Sequence, residues 1–194
     1  MIHMSKNDLI YYVGQENIEQ KALPVYDDLV LAFLNDLSKE LRNDPEARRY
    51  PDIMTFAFWC RKANLVRLKE QYTDTIGRIG KGIVFHIAPS NVPVNFAFSL
   101  AFGLLAGNGN VVRVSEKQFE QVSIICRNLN KLLQKSEYEV LQKQNQVVSY
   151  PHDSKWNDHY SQICDMRVIW GGDRTIQELR RSPLKCRATE ITFA

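Results

Sequence analysis

The stretch Gly82–Lys117, GIVFHIAPSNVPVNFAFSLAFGLLAGNGNVVRVSEK, decides the fold of this 194-residue chain. Ile83 to Ala88 is a short, apolar, β-branched run, the kind buried on both faces of a parallel sheet. Pro93 to Ala106 then reads as an apolar helix, with proline near its first turn and Gly107 placed to end it. Asn110 to Val114 is a second strand. Glu116 to Gln134 is a second helix, with Val122, Ile125, Cys126, Leu129 and Leu133 on one side. The glycines Gly77, Gly80 and Gly82 precede a strand instead of following one, so they read as a turn and not as a dinucleotide fingerprint.

The same alternation continues downstream. Strands are expected at Gln146–Ser149, Met166–Trp170 and Ala188–Phe193, with helices at Ser154–Cys164 and Asp173–Arg181. Five strands with four intervening helices make a doubly wound α/β unit. Upstream the text is helical. Leu29, Val30, Phe33, Leu34, Leu37 and Leu41 share one helix face, and Asn43-Asp44-Pro45 ends that helix. A second helix begins after Pro51, where Asp52 can cap it, and carries Ile53, Phe56, Ala57, Trp59, Cys60, Ala63 and Leu68. No strand pattern interrupts residues 1–75. The chain thus divides into an N-terminal helical region, 1–75, and an α/β region, 76–194. The last strand runs into Ala194, and a sheet ending there implies a truncated domain.

Composition narrows the function classes. Hydrophobic residues make up 44% and charged residues 24%, which is globular composition. A net charge of +3, with basic residues scattered and no block of like charge, gives no footprint for nucleic acid. The N-terminus lacks the pattern of a signal peptide, and Val92–Ala106, interrupted by Pro93, Asn95 and Ser99, is too short to span a bilayer. Cys60, Cys126, Cys164 and Cys186 follow no zinc or C-x-x-C spacing, so reduced thiols in a cytoplasmic protein are the expectation. His152-Asp153 and Asp158-His159 near Trp156 lack ligand spacing and read as solvated surface. His86, inside a buried strand, reads as a core histidine with its hydrogen bonds satisfied.

Two strand-to-helix junctions could carry chemistry. Ala88-Pro89-Ser90-Asn91-Val92-Pro93 joins a buried strand to an apolar helix, where open α/β sheets place ligands and helix N-termini attract anions. Asn91 there either donates its amide to an oxygen that gains charge, or caps the helix. At the second junction Arg113 and Glu116 either bind a ribose diol and a phosphate, or are a solvent-facing arginine and a first-turn glutamate.

Together the two junctions resemble the nicotinamide-binding segment of the aldehyde dehydrogenase superfamily. The order is apolar strand, Pro-x-Asn-x-Pro, apolar helix, Ala-Gly-Asn, Val-Val, then a basic residue and Ser-Glu. The wording is most similar to acyl-CoA reductases of the bacterial luminescence fatty-acid reductase type. The similarity weakens through Val168–Asp173 to Glu190. The resemblance implies N-terminal helices followed by a Rossmann-like parallel sheet, and hydride reduction of an acyl thioester, held on an enzyme cysteine, to an aldehyde. It makes Asn91 the oxyanion-stabilising asparagine and Glu190 a general base. It places Pro89, Ser90, Arg113, Glu116, Gly171 and Gly172 around the cofactor. Arg113 stands where a lysine usually contacts the adenosine ribose, and its planar fork suits the 2′-phosphate of NADPH, with NADH the other possibility. Asp173 replaces a usual serine, and Ile191-Thr192-Phe193 a usual glycine pair. The implied substrate is an acyl-CoA or acyl-protein, with an acyl-protein synthetase as partner and a homo-oligomer at full length. None of the four cysteines matches the family's nucleophile, so this chain alone is expected to be inactive. A non-catalytic nucleotide-binding or assembly module derived from the same fold is the alternative.

Overall fold

The computed structural model describes residues 8–72, 77–152 and 154–194; the expected boundary between 75 and 76, and Asp153, lie outside them. Among the described residues six strands form one sheet: β1 (Ile10–Val13), β2 (Ile83–Ile87), β3 (Gly109–Val114), β4 (Asn145–Ser149), β5 (Met166–Trp170) and β6 (Thr189–Phe193). Their order is β1-β4-β3-β2-β5-β6, with β1 antiparallel to β4 and every other pairing parallel. The five expected strands are present within a residue or two.

The helices are α1 (Asp28–Asn43), α2 (Pro51–Trp59), α3 (Lys62–Glu70), α4 (Asn95–Leu105), α5 (Glu120–Leu133), α6 (Glu139–Lys143), α7 (Trp156–Ile163) and α8 (Asp173–Leu179). Helices α4 and α5 make the crossovers β2→β3 and β3→β4, and pack with α1–α3 on one face of the sheet. After β4 the chain returns across the sheet, and α7 and α8 cover the opposite face. The strand order therefore reverses between β2 and β5. That is the switch point, with a crevice outside the carboxyl ends of the two strands.

Physical reasons for these elements are local. Strand β2 is buried throughout, and each of its large apolar side chains contributes roughly 2 kcal/mol on leaving water. Helix α1 starts at Asp27, whose side chain accepts from the Leu29 amide at 2.8 Å. It ends at Asp44, which collects the Arg127 guanidinium and the Asn128 amide, both at 2.8 Å. Burial raises the Asp44 pKa, but hydrogen bonds from Asn128, Arg127 and the Glu46 and Ala47 amides outweigh it and bring it to about 2. Helix α4 ends as expected, with Gly107 just past its last turn at φ +78°.

Five details differ from the sequence expectation. Strand β1 lies in the region expected to hold only helices: four residues, IYYV, are too few to show alternation, and pairing with β4 makes them a strand. The second helix is broken between Trp59 and Lys62 into α2 and α3. Asp52 does not cap α2, since Tyr50 occupies the cap position and Pro51 the first turn. Helix α5 begins at Glu120 instead of Glu116, and the short α6 was not foreseen.

Candidate functional site

The crevice at the switch point is bounded by the chain leaving β2, the head of α4, and the ends of β5 and β6. Strand β2 releases the chain after Ala88, whose amide donates to the Arg113 carbonyl at 3.0 Å. Pro89 is half-buried, and Ser90 and Asn91 are exposed. Asn91 does not cap α4: the cap position is Val94, and no side chain bonds the helix start. Among the described residues the exposed Asn91 side-chain amide has no partner, and it is free to donate.

Beneath this junction His86 is held from both sides. Its Nδ1 lies 2.8 Å from Ser99 Oγ of α4 and its Nε2 3.0 Å from Asn110 Oδ1 of β3. Burial lowers its pKa to about 4, against the partial opposition of the Asn110 bond, so the ring is neutral at pH 7. The expected satisfied core histidine is what the structure shows.

At the second junction the alternative of a solvent-facing arginine does not hold. Arg113 neither faces solvent nor projects from the strand end: it is 7% exposed, its Nη2 donates to the Tyr150 carbonyl at 3.1 Å, and the guanidinium lies over the Tyr150 ring at 5.2 Å. Strand alternation explains this, since Arg113 shares the face of Val111, which packs toward α7. Burial lowers the arginine pKa, with Tyr150 and Glu116 acting the other way. Its Nε–H is buried and has no partner among the described residues. A buried donor of that kind costs roughly 1–3 kcal/mol unless something accepts from it. Glu116 is exposed in the loop between β3 and α5.

At the end of β5, the Gly171 amide donates to the Phe193 carbonyl at 2.9 Å, and the Trp170 and Phe193 rings stack at 4.1 Å. Gly172 precedes α8, and a Cβ there would meet open space. Asp173 is exposed at the first position of α8. Glu190 lies further down, on the face toward α8. It accepts from Arg167 Nε and Nη2 at 2.8 and 2.6 Å and from Arg180 Nε at 2.7 Å. Burial raises its pKa, but the hydrogen bonds and charges of Arg180 and Arg167 outweigh that and hold it below the usual glutamate value. Arg167 also donates to Ser161 Oγ and to the Leu179 and Ser182 carbonyls.

Cys60, Cys126 and Cys164 are buried and Cys186 is exposed. Burial pushes the Cys60 and Cys126 thiols up, and Cys164 to about 11. Among the described residues no group of His, Cys, Asp and Glu is placed to hold a metal ion, and no helix is long and apolar enough to cross a membrane.

A family model described as acyl-CoA reductase (LuxC) matches residues 28–194. The chain belongs to the LuxC acyl-CoA reductase family. No curated protein matches the sequence. Solved structures of similar fold are aldehyde dehydrogenases. A glyceraldehyde-3-phosphate dehydrogenase from Methanocaldococcus jannaschii, complexed with NADP, is 14% identical with a TM-score of 0.61, covering 88% of this chain and 41% of that one. An NAD-dependent benzaldehyde dehydrogenase from Corynebacterium glutamicum is 15% identical with a TM-score of 0.56, covering 84% and 41%. A betaine aldehyde dehydrogenase from Staphylococcus aureus, in complex with NAD+, is 14% identical with a TM-score of 0.61, covering 84% and 36%. At these identities the likeness establishes the fold, and this chain spans about two fifths of the length of the enzymes it resembles.

Sequence reasoning did not foresee Tyr150 as the partner of Arg113, Arg167 as the buried cation behind Glu190, or the ties of Ser99 and Asn110 to His86. The last had a signal: polar residues set within apolar runs.

Proposed function

We propose that this chain supplies the cofactor-binding part of an enzyme that reduces an acyl thioester, from acyl-CoA or an acyl-protein, to an aldehyde with NADPH. The observation that carries the reading is the buried Nε–H of Arg113, which has no partner among the described residues of this LuxC-family chain; the exposed side-chain amide of Asn91 stands at the other junction. The residues fit a nicotinamide dinucleotide. Arg113 Nε–H suits a phosphate oxygen, the exposed Glu116 carboxylate suits ribose hydroxyls, and the open backbone at Gly172, next to Gly171, suits the pyrophosphate. Pro89 and Ser90 line the same edge. The cofactor, when bound, supplies the hydride.

Asn91 then donates to the acyl oxygen as negative charge grows on it, a role that removal of one donor typically weakens by about 10²–10³ in rate. Glu190 enters as an ionised carboxylate engaged by two guanidiniums, which makes it a weak base. It accepts a proton only once Arg180, whose side chain is 57% exposed, has swung away. The nucleophilic thiol of this reading is none of the four cysteines: three are buried with raised pKa values, and Cys186 lies on the loop before β6. The same fact favours a second reading, a non-catalytic nucleotide-binding module. In either case the chain by itself is inactive.

The test is calorimetric titration of the purified chain with NADPH and NADH, repeated with Arg113→Ala. Weaker NADPH binding in the variant supports the phosphate placement, and unchanged affinity refutes it. The synthetase partner and the homo-oligomer belong to the same proposal, and co-purification and light scattering of the assembled enzyme test them.

A further inference from the structure

The hydrogen bonds that meet at His86 form one continuous chain with a single direction. Trp170 Nε1–H donates to Ser99 Oγ at 3.0 Å, and an indole N–H can only donate. Ser99 donates onward to His86 Nδ1 at 2.8 Å, and His86 Nε2–H to Asn110 Oδ1 at 3.0 Å. Asn110 Nδ2 donates to Asn145 Oδ1 at 2.8 Å, and Asn145 Nδ2 to the Leu141 carbonyl at 2.7 Å, which can only accept. With a pure donor at one end and a pure acceptor at the other, the tautomer of His86 is fixed as Nε2–H. The chain crosses β5, α4, β2, β3 and β4. Helix α4 lies close enough for this because residue 103 is glycine: a Cβ there would stand 1.9 Å from Asn110 Oδ1.

These elements are the ones that carry the two junctions. Asn91 stands at the head of α4, Arg113 on β3, and Trp170 is the last residue of β5, directly before Gly171-Gly172. Trp170 is only half-buried and could turn its N–H to water. It is tied to α4 instead, and Phe193 stacks on its ring.

We infer that Ser99 and His86 are positioning residues, which fix Trp170 and thereby hold the β5–Gly171-Gly172 side of the crevice in register with the α4–Asn91 side. The inference rests on the cofactor reading above. Neither residue touches the ligand; each acts through Trp170.

The test uses the full chain, ¹⁵N-labelled, with the Trp170 indole resonance assigned by its loss in Trp170→Phe. Ser99→Ala removes the acceptor of the indole N–H. His86→Leu breaks the chain, and His86→Gln, whose amide both accepts and donates, keeps it. The expected result is a shifted indole resonance and a Kd for NADPH raised about tenfold in Ser99→Ala and His86→Leu, with both restored in His86→Gln. An unchanged resonance in Ser99→Ala overturns the inference. So does a shifted resonance with NADPH affinity within about twofold of the parent, since the network then only satisfies buried polar atoms. If the parent chain takes up no NADPH, the cofactor reading fails. The resonance alone then decides whether Ser99 fixes Trp170: a shift upholds it and no shift overturns it.

Discussion

Acidification isolates the contribution of His86. In the folded chain burial lowers its pKa from 6.5 to about 4, while the unfolded chain keeps the ordinary value. Between those two values the unfolded state binds a proton that the folded state does not, so stability falls as the pH drops through that window and is intact above it. Two and a half units at about 1.4 kcal/mol each give a full effect of about 3.5 kcal/mol. Roughly 2 kcal/mol of it is lost between pH 7 and pH 5, and most of the rest by about pH 4. Other groups titrate nearby: burial also lowers His159, and Asp44, Asp36, Asp165 and Glu190 are all held below their ordinary values. His86→Gln removes them from the comparison, because it keeps an acceptor and a donor at the site but cannot titrate. Urea unfolding followed by circular dichroism at pH 7, 6, 5 and 4.5 should show parent and variant converging as pH falls, the parent losing about 2 kcal/mol more by pH 5. Parallel stability curves would refute the assignment of a neutral, fully desolvated His86.

Gly103→Ala should destabilise by about 1–3 kcal/mol despite alanine's better helix propensity, because its Cβ would meet Asn110 Oδ1 at 1.9 Å and His86 Nε2 at 3.0 Å; a variant as stable as the parent in thermal unfolding would mean α4 can retreat from the sheet. Arg167→Ala should cost about 3–5 kcal/mol, since it leaves Glu190 with Arg180 alone and takes the Arg167 donor from the Ser182 carbonyl, whereas Arg174→Ala, an exposed i,i+4 pair with Glu178, should change stability by under about 0.5 kcal/mol. An aromatic disulfide reagent should titrate one thiol quickly in the native chain and four in denaturant, and loss of the fast phase in Cys186→Ser identifies it. The pure chain with NADPH and an acyl-CoA should form no aldehyde; aldehyde above a no-enzyme control would show that one of these four cysteines is a competent nucleophile.

The inner strands of the parallel part of the sheet were legible because they obey one rule. A strand covered on both faces carries apolar residues on both, and Ile83–Ile87 and Gly109–Val114 stand out as short runs between glycines and prolines. Strand β1 gave no such run. It lies at the sheet edge, exposed at Ile10 and buried fully only at Val13, and its identity as a strand comes from Ile10 and Tyr11 meeting Ser149 and Val148 on a segment more than 130 residues away. The break between α2 and α3 was hidden for a related reason: the apolar periodicity runs on through Trp59, Cys60 and Ala63, while at the break the Lys62 amide donates to Asn35 Oδ1 of α1 at 3.0 Å and Asn64 Nδ2 to the Trp59 carbonyl at 2.8 Å.

Arg113 shows why the site was harder to read than the fold. From the sequence, an arginine one residue from a strand's end has two plausible destinations, solvent or an anion, and both assume that it leaves the sheet. Period-two alternation puts it instead on the α7 face, where Tyr150 takes its Nη2–H through a carbonyl and its charge through a ring. The residue that decides this, Tyr150, is 37 positions away, directly after the end of β4. The guanidinium nitrogen left fully buried without a partner among the described residues is Nε, and that is more informative than an exposed arginine would have been. A surface guanidinium is solvated and needs no ligand, whereas a buried Nε–H without an acceptor carries a free-energy cost that a phosphate oxygen would remove. The same reasoning separates Asn91 from Asn110. Both are asparagines beside a junction, but Asn110 uses its carbonyl and its amide within the protein, and Asn91 uses neither. Of the two, only Asn91 has anything left to offer a substrate.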